Sequence, residues 1–385
     1  MKSTLQDITI LCKVVDNFGD IGVVYRLARA LSEILPLSTK IRIVADNLES
    51  FNLLCPKVNP NEMVQTVNNW KIFQWNAQKL CFEEFSKNPP QLIIECFQCG
   101  RPSWLEKLLF EVKLKSTVYT IMLDYLTAED YAETFHKLKS LTRSARVQKV
   151  NFMPGFTSKT GGLILDRPFL SSIKEAEKLN SKKDEKNCDF NVLFFSYPKK
   201  LIPVVSALET FNEKVCKKSL LVKLAQGAGK QSFEDAVSRQ KTSFSVRILD
   251  FLPQEEWDFL LCSADLLFVR GEDSLSRACL CGKPFVWHAY PQSENYQLVK
   301  VQALLSKMKP FFDPDVFLVI EKCFLIYNDN EKSSEELESS VAEFLLNFNQ
   351  LKKGFKDFSS SLLLNGNLAQ NLIEFAQTYI AEHIF

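Results

Sequence analysis

Residues 8–35 read ITILCKVVDNFGDIGVVYRLARALSEIL, and their two halves follow different hydrophobic patterns. The run ITILCKVV (8–15) is continuously apolar, which is typical of a strand in a parallel sheet covered on both faces. After it, apolar residues recur at intervals of three and four, which predicts a helix from about Ile21 to Leu35 that ends at Pro36. Those positions are Ile21, Val24, Leu27, Ala28, Leu31 and Leu35. A strand followed at once by a helix indicates an α/β fold.

The same alternation of strands and helices continues along the chain. Further strands are predicted at KIRIVAD (40–46), QLIIECF (91–97) and STVYTIML (116–123), with helical segments between them. A second series is predicted at NVLFFSY (191–197), SLLVKLA (219–225), SVRILDFL (245–252), ADLLFVR (264–270) and KPFVWHAY (283–290). The final block, roughly 331–385, is predicted to be helical. The sequence therefore predicts two α/β halves of Rossmann type with a helical C-terminal tail.

A charged stretch separates the two halves. The run KEAEKLNSKKDEKNCD (174–189) has little to bury, which favours a solvated linker. We therefore expect an N-terminal domain over 1–160, a linker over 161–190 and a C-terminal domain over 191–360. A last helix over 361–385 is expected to pack back on the N-terminal domain.

The composition excludes several classes of protein. The 385 residues are 46% hydrophobic and 24% charged, as in ordinary globular proteins. Lys and Arg number 47 against 46 Asp and Glu, so the usual footprint of a general nucleic-acid binder is absent. No stretch approaches the ~20 apolar residues that span a bilayer, and the N-terminus lacks the cleavage site of a signal peptide. We expect a cytoplasmic protein that binds neither membrane nor nucleic acid.

The cysteines do not suggest a metal site. Most of the 11 lie in apolar runs and are interpreted as small buried hydrophobes. Cys96 and Cys99 form a lone CxxC, whereas a zinc site requires a second pair or clustered histidines. The three histidines, His136, His288 and His383, lie far apart in the sequence.

The first loop, DNFGDIG (16–22), carries two carboxylates at the predicted carboxyl end of the first strand, where open α/β sheets bind ligands. It lacks the GxGxxG fingerprint, and its charge suits a cationic ligand or a general base. The simpler interpretations are that Asp20 is a helix N-cap and that Asp16 is a turn residue. Both interpretations remain open from the residues alone.

The second loop, FVRGEDS (268–274), has the pattern strand, tight turn, helix. A helix N-terminus suits phosphate, and Arg270 could add a bidentate contact to it. Alternatively Glu272, Asp273 and Ser274 only cap the helix, with Arg270 as their ion-pair partner. The nearby segments LPQEEW (252–257) and WHAYPQ (287–292) offer the amide and aromatic rings that a nucleotide base requires.

Together these segments resemble a known family. The stretches DNFGDIGVVYRLARAL (16–31) and FVRGEDSLSRACLCGKPFVWHAYPQ (268–292) are similar to the EarP-type protein-arginine rhamnosyltransferases, which modify bacterial translation elongation factor P. The similarity extends through IECFQC (94–99), YLTAEDY (125–131), PGFTSKTGGL (154–163) and LFFSYP (193–198). The resemblance implies a GT-B glycosyltransferase fold, with two facing Rossmann-like domains. It also implies inverting transfer from dTDP-β-L-rhamnose to an arginine of elongation factor P, without a metal or cofactor.

The resemblance also assigns residues. It makes Asp20 the general base, Asp16 a carboxylate that holds the acceptor guanidinium, and Glu272 a contact to the sugar or a support for Arg270. Trp257 departs from the usual Phe, although stacking on thymine should survive. The donor-binding set that the resemblance implies is Asn17, Phe18, Gly19, Phe195, Tyr197, Gln254 (for thymine), Trp257, Arg270, Asp273, Ser274 and Tyr290.

Three other functions remain compatible with the sequence. One is a GT-B glycosyltransferase acting on a lipid or cell-wall precursor, and another is a nucleotide-sugar epimerase on the same scaffold. The third is a nucleotide-binding module without catalytic activity, in which the carboxylates are only caps. Fold alone does not separate them, because function depends on the site.

Overall fold

The computed structural model describes residues 5–15, 18–181, 189–217 and 219–382. The chain divides into two compact units, Met1–Arg167 with Asn365–Phe385, and Pro168–Leu364. The change from the first unit to the second thus falls within the segment 161–190 that was predicted as a linker. Helix Arg167–Asn180 occupies part of that segment. Because residues 182–188 lie outside the described ranges, the linker itself stays a prediction.

The first unit is built on a mainly parallel sheet. Its strands are β1 (Asp7–Cys12), β2 (Lys40–Ala45), β3 (Val64–Val67), β4 (Trp70–Gln74), β5 (Leu92–Cys96), β6 (Val118–Leu123), β7 (Lys139–Ser140) and β8 (Val147–Phe152). They lie in the order β3-β4-β2-β1-β5-β6-β8-β7, and only the outer pairs β3/β4 and β7/β8 are antiparallel. Numbered by chain order, the parallel strands run 3-2-1-4-5-6, which is the Rossmann order. The helices of this part are α1 (Gly19–Ile34), α2 (Leu48–Leu54), α3 (Gln78–Lys87), α4 (Ser103–Phe110) and α5 (Tyr131–Phe135).

The central strands bury both of their faces. On β1, Ile8 and Ile10 belong to one hydrophobic cluster, whereas Leu11 belongs to another. On β5, Ile94 belongs to the first cluster and Ile93 to the second. Consecutive side chains of a strand point to opposite faces, so each face of the sheet has its own core. This confirms the doubly covered sheet that the continuous apolar runs predict.

The second unit is built on a wholly parallel sheet. Its strands are β9 (Phe190–Phe194), β10 (Leu220–Leu224), β11 (Ser245–Ile248), β12 (Leu266–Arg270) and β13 (Phe285–His288). Their order is β11-β10-β9-β12-β13, so the strands run 3-2-1-4-5. All of the strands predicted in this half are confirmed. The helices are α6 (Arg167–Asn180), α7 (Ile202–Phe211), α8 (Lys230–Ser238), α9 (Gln254–Ser263), α10 (Gly271–Cys281), α11 (Gln297–Met308), α12 (Pro314–Asn328), α13 (Ser334–Leu346) and α14 (Phe348–Leu364).

Short helices of other types complete this unit. A π-helical turn, Asn212–Cys216, follows α7, and 3-10 turns occur at Ser293–Asn295 and Lys309–Phe311. The predicted helical tail is present as α13, α14 and the final helix α15 (Leu368–Glu382).

Helix α15 packs in the first unit, although it is the last helix of the chain. Leu368 and Leu372 join the same hydrophobic cluster as Ile8 and Ile10 of β1. The rings of Tyr119 and Tyr379 meet edge to face, with centroids 5.7 Å apart. The first unit therefore includes both ends of the chain.

The predictions missed four strands of the first unit, namely β3, β4, β7 and β8. The segment between residues 46 and 91 was interpreted as helical, but it contains the hairpin β3/β4. Asn68 forms its turn at φ +53°, a left-handed conformation that Asn tolerates. Strand β8 was missed because it is polar: Gln148 and Lys149 are only partly buried, and β8 lies next to the sheet edge. Among the described residues, no helix has the length and apolar composition needed to cross a bilayer.

Candidate active site

Each sheet reverses its strand order at one place, and such a reversal is where open α/β sheets bind ligands. In the first unit the reversal lies between β1 and β5, and in the second it lies between β9 and β12. Phe18 and α1 follow β1, and Arg270 ends β12. The described residues of both loops singled out from the sequence therefore lie at a ligand-binding edge of their sheet.

Asp20 is a buried carboxylate in the first turn of α1. Its side chain accepts a 2.7 Å hydrogen bond from the backbone N–H of Val15, and the residue is 2% exposed. The simpler interpretation, in which Asp20 is the N-cap of a helix that starts at about Ile21, is wrong. The helix starts at Gly19, and Phe18 occupies the N-cap position without a side-chain capping bond. Gly19 takes helical dihedrals, so the carboxylate lies inside the first turn, where the helix dipole favours negative charge.

The rest of the first loop is described in part. Asp16 and Asn17 lie outside the described residues, so their predicted roles stay predictions. Phe18 is partly buried and packs against the core of the first unit, and its carbonyl accepts the N–H of Gly22 at 2.9 Å. The assignment of Phe18 and Gly19 to the donor site also stays a prediction.

Three thiols lie near this edge of the sheet. Cys12 ends β1 and Cys96 ends β5, and burial raises the pKa of both thiols well above the usual value. Burial likewise raises the pKa of Cys99 to about 12. These thiols are therefore protonated near neutral pH and are poor nucleophiles. No group of three or more His, Cys, Asp or Glu side chains within the described ranges is arranged to hold a metal ion.

In the second unit, a tight turn joins β12 to α10. Gly271 adopts φ +66°, which favours glycine, and its carbonyl accepts the indole N–H of Trp287 at 3.0 Å. Arg270 takes the N-cap position with an extended backbone and no side-chain capping bond. The N–H groups of the first helical turn therefore point toward the carboxyl edge of the sheet.

The acidic residues of this turn do not act as the N-cap. Glu272 and Asp273 lie in the first turn of α10, and Ser274 follows them and is buried. The carboxylate of Glu272 lies 3.8 Å from Nζ of Lys300. Arg270, and none of these three residues, therefore occupies the N-cap position.

The guanidinium of Arg270 lies against two aromatic rings. Its central carbon is 4.5 Å from the centroid of Phe195 and 4.6 Å from that of Tyr197. Cation–π contact uses the face of the guanidinium, whereas its N–H donors lie in the plane. The two rings therefore fix the plane of the group at the N-terminus of α10, which suits a bidentate contact to phosphate.

An aromatic and amide wall continues from Phe195. The ring of Trp257 meets Phe195 edge to face at 5.2 Å. Gln254 is the first residue of α9, one turn before Trp257, and it is 2% exposed. On the other side, Tyr197 meets the half-exposed ring of Tyr290 at 5.3 Å. The structure thus brings together most of the donor-binding residues predicted in the second unit.

Four further residues of this site were missed by the sequence analysis. A Cβ on Gly229 would lie 2.2 Å from the backbone oxygen of Ser196, and one on Gly227 would lie 3.0 Å from the Phe195 ring. Behind Tyr197, Oγ of Ser196 lies 2.8 Å from Nδ1 of His288. Two glycines in the short segment AQGAGK (225–230), in a chain with only 12, were a usable signal. No sequence signal indicated the pairing of Ser196 with His288, because the two residues are 92 positions apart.

The two Rossmann-type units have the GT-B fold of glycosyltransferases, and in the second unit a helix N-terminus lies beside an aromatic and amide wall. The family model described as "Elongation-Factor P (EF-P) rhamnosyltransferase EarP" matches residues 8–377. The chain belongs to this EarP family, as its resemblance implied.

Similar proteins support the family assignment. A protein-arginine rhamnosyltransferase of Neisseria meningitidis is 33% identical over 80% of this chain and 80% of its own. One of Shewanella oneidensis is 30% identical over 84% of this chain and 86% of its own. The solved structure described as "Structural basis for EarP-mediated arginine glycosylation of translation elongation factor EF-P" matches with a TM-score of 0.57 at 19% identity. That match covers 97% of this chain and 99% of the other.

Proposed function

We propose that this chain transfers rhamnose from dTDP-β-L-rhamnose to one arginine side chain of translation elongation factor P, with inversion at the anomeric carbon. The observation that carries the proposal is the Arg270 guanidinium, held on the rings of Phe195 and Tyr197 at the N-terminus of α10. In a chain of the EarP family, this geometry supports a site for a nucleoside diphosphate sugar. The acceptor also supports a cytoplasmic location, where translation takes place.

The base of the donor is assigned to the wall beside Phe195. An aromatic ring at Trp257 offers a stacking surface, and the buried amide of Gln254 offers a donor and an acceptor to a pyrimidine edge. Thymine and uracil share that edge, so the preference for dTDP comes from the family relationship. The residues alone fit either pyrimidine.

The diphosphate is the leaving group of the proposed reaction. The bond from the anomeric carbon to the diphosphate oxygen breaks early, through an oxocarbenium-like transition state. Negative charge then grows on the diphosphate, where Arg270 and the N–H groups of α10 stabilise it. We propose that no metal ion is required, because these donors are already placed at the site. Glu272 is proposed to contact the sugar hydroxyls or to support Arg270.

The acceptor guanidinium is a poor nucleophile, since its pKa lies above 12. We assign Asp20 as the general base that takes one N–H proton while the new C–N bond forms, and Asp16 as the carboxylate that binds the guanidinium fork. The electron pair of the broken C–O bond leaves on dTDP. Burial of Asp20 supports this role, since a buried carboxylate interacts strongly with a bound cation.

Intact-mass spectrometry of elongation factor P tests the proposal. After incubation with the chain and dTDP-β-L-rhamnose, we expect a gain of one deoxyhexose, located on arginine by fragmentation and absent with Asp20→Asn. UDP-glucose in place of the donor is the control. Retention of dTDP binding without any mass gain would instead favour a different acceptor or a non-catalytic module, and hydrolysis of the donor alone would exclude the transfer step.

A further inference from the structure

Behind Tyr197 lies a buried polar cluster that the proposed mechanism does not use. Oγ of Ser196 lies 2.8 Å from Nδ1 of His288 and 3.3 Å from the hydroxyl of Tyr327. The backbone N–H of Tyr197 donates to the same Nδ1 at 3.3 Å. Ser196, His288 and Tyr327 are each less than 5% exposed. These groups connect the loop after β9 to the end of β13 and to α12.

The backbone donor determines which nitrogen of His288 carries the proton. An amide N–H can only donate, so Nδ1 must present its lone pair and the neutral ring must be protonated on Nε2. Burial lowers the pKa of His288 well below its usual value, and the nearby charges of Lys199 and Arg270 lower it further. The ring is thus an acceptor at Nδ1 throughout the neutral pH range.

The position of His288 is itself tightly fixed. The side chain of Asn328 donates to the carbonyl of Trp287 and accepts the N–H of Ala289, both at 2.8 Å. It therefore brackets the backbone of His288 from both sides. The ring of Tyr327 meets the imidazole edge to face at 5.3 Å. These contacts fix the position of the His288 ring, and therefore of its Nδ1.

Nδ1 of His288 accepts the backbone N–H of Tyr197, in the loop after β9, on whose ring Arg270 rests. The Tyr197 ring meets the imidazole edge to face at 5.3 Å, and Arg270 lies on that same ring at 4.6 Å. Removal of the acceptor would leave the buried N–H of Tyr197 without this partner, which is costly. The hydroxyl of Ser196 would keep the carbonyl of Tyr197 at 3.0 Å and the hydroxyl of Tyr327 at 3.3 Å. The loop would then shift, and with it the surface on which Arg270 rests.

We infer that His288 is a positioning residue of the proposed donor site, which fixes Tyr197, and through it Arg270, by accepting the backbone N–H of Tyr197 at Nδ1. This inference rests on the proposed function, in that the site must take a nucleoside diphosphate. It assigns His288 no contact with the ligand and no proton transfer.

Titration calorimetry with dTDP and NMR titration with thymidine test the inference on the full chain. His288→Phe removes the acceptor and keeps a ring, and it should raise the Kd for dTDP about tenfold, the scale of one lost buried hydrogen bond. His288→Asn places an amide oxygen near the position of Nδ1 and should stay within about twofold of the wild type, since it restores the acceptor. Thymidine lacks the diphosphate, so its affinity should be unchanged in both variants.

His136 offers a matched control in the first unit. Its Nδ1 also accepts a backbone N–H, that of Met153, at 3.2 Å. His136→Asn should leave the Kd for dTDP unchanged. Wild-type dTDP affinity in folded His288→Phe would overturn the inference, as would an equal loss of thymidine affinity. A wild-type chain that binds no dTDP would instead overturn the proposed function and the inference together.

A measurement on the wild type keeps the inference testable if His288→Phe does not fold. The chain has 3 histidines, so the imidazole ¹⁵N spectrum can be assigned with His288→Asn and His136→Asn. We expect His288 as the Nε2–H tautomer from pH 6 to pH 8. A proton on Nδ1 in that range, whether in the other tautomer or in the charged ring, would overturn the inference.

Discussion

The carboxylate of Asp20, in the first turn of α1, accepts a 2.7 Å hydrogen bond from the backbone N–H of Val15, which precedes that helix in the chain. The bond ties the end of the β1 segment to the first turn of α1. It also orients one carboxylate oxygen at the ligand-binding edge of the sheet. The charge of Asp20 can be removed without its hydrogen bond, because the amide oxygen of an asparagine also accepts an N–H.

We expect Asp20→Asn to lower the rate of rhamnose transfer by ~10²–10⁴, since a positioned general base contributes on that scale. The Kd for dTDP should change little, because Asp20 is assigned to the acceptor and the proposed contacts to the base and the diphosphate, Gln254 and Arg270, lie in the second unit. The free energy of unfolding should also change little, since the amide oxygen can still accept the N–H of Val15. Single-turnover intact-mass spectrometry of the acceptor measures the rate. Wild-type turnover in Asp20→Asn would remove this residue from the mechanism.

Asp20→Ala is the companion variant. It removes both the charge and the acceptor, so the same loss of rate should come with a loss of about 1 kcal/mol in the free energy of unfolding. If the two variants were equally stable in urea titrations, the bond to Val15 would have no structural role.

Arg270→Lys should raise the Kd for dTDP about tenfold, and Arg270→Gln about a hundredfold. Lysine keeps the charge but loses the planar fork that lies on Phe195 and Tyr197. Titration calorimetry provides both values. Arg143→Lys is the matched control, since Arg143 lies in the first unit and is 71% exposed. An equal response of the two lysine variants would contradict the assigned phosphate contact.

Gly229→Ala should destabilise the second unit by about 2 kcal/mol or more, because its Cβ would lie 2.2 Å from the backbone oxygen of Ser196. Since Ser196 precedes Tyr197, the variant should also bind dTDP less tightly. The control, Gly100→Ala, has no atom within 4 Å of the new Cβ but adopts φ +72°. It should lose only about 1 kcal/mol, through strain. Thermal unfolding with and without dTDP separates the effects, and equal losses would show that packing against Ser196 is not tight.

The sequence predicted the local features of the fold more completely than its long-range contacts. β9 and β12 were found because most of their residues are apolar and buried, whereas β8 was missed because its partly buried positions are polar. The turn at Gly271 was likewise visible, since a glycine follows an apolar strand there. The start of α1 was misplaced because a glycine at position 19 is compatible with either a loop or a helix.

The residues of the proposed donor site could be predicted only in part, for a physical reason. Arg270, Tyr197 and Gln254 follow from the family resemblance at conspicuous loops. Gly229 and His288 lie close to Ser196, which is distant from both in sequence. The two glycines of AQGAGK (225–230) were a usable local signal, whereas His288 has none. Contacts of this kind depend on the strand order of the sheet, which one sequence does not specify.

A buried ion pair should be important for the first unit. Nε of Arg29 donates to Oδ2 of Asp166 at 2.7 Å, with the side chains 8% and 0% exposed. Asp166→Asn should lower the free energy of unfolding by about 3 kcal/mol, since it leaves a buried cation without its counter-charge. Glu84→Gln, which breaks the more exposed pair with Lys71, should cost no more than about 1 kcal/mol. Urea titrations that gave equal costs would contradict the view that Asp166 compensates a buried charge.

His136 should make the first unit less stable in acid. Burial, followed by the charge of Lys137, lowers the pKa of its imidazole to about 4, against an ordinary value of 6.5. The unfolded chain therefore binds a proton at higher pH than the folded chain does, so the free energy of unfolding falls as the pH decreases from 6.5 toward about 4.

Comparison with His136→Asn, whose side chain cannot titrate, isolates the contribution of His136 to the loss of stability in acid. The variant should be less stable than the wild type at pH 7.5, because it loses the packing of the imidazole against Phe152 at 4.6 Å. The difference in the free energy of unfolding between the wild type and the variant should narrow as the pH decreases. Only the wild type loses the stability linked to His136, while the carboxylates titrate equally in both. Urea titrations at a series of pH values measure this difference. If this difference in the free energy of unfolding stayed constant between pH 7.5 and pH 4.5, His136 would have its ordinary pKa in the folded chain.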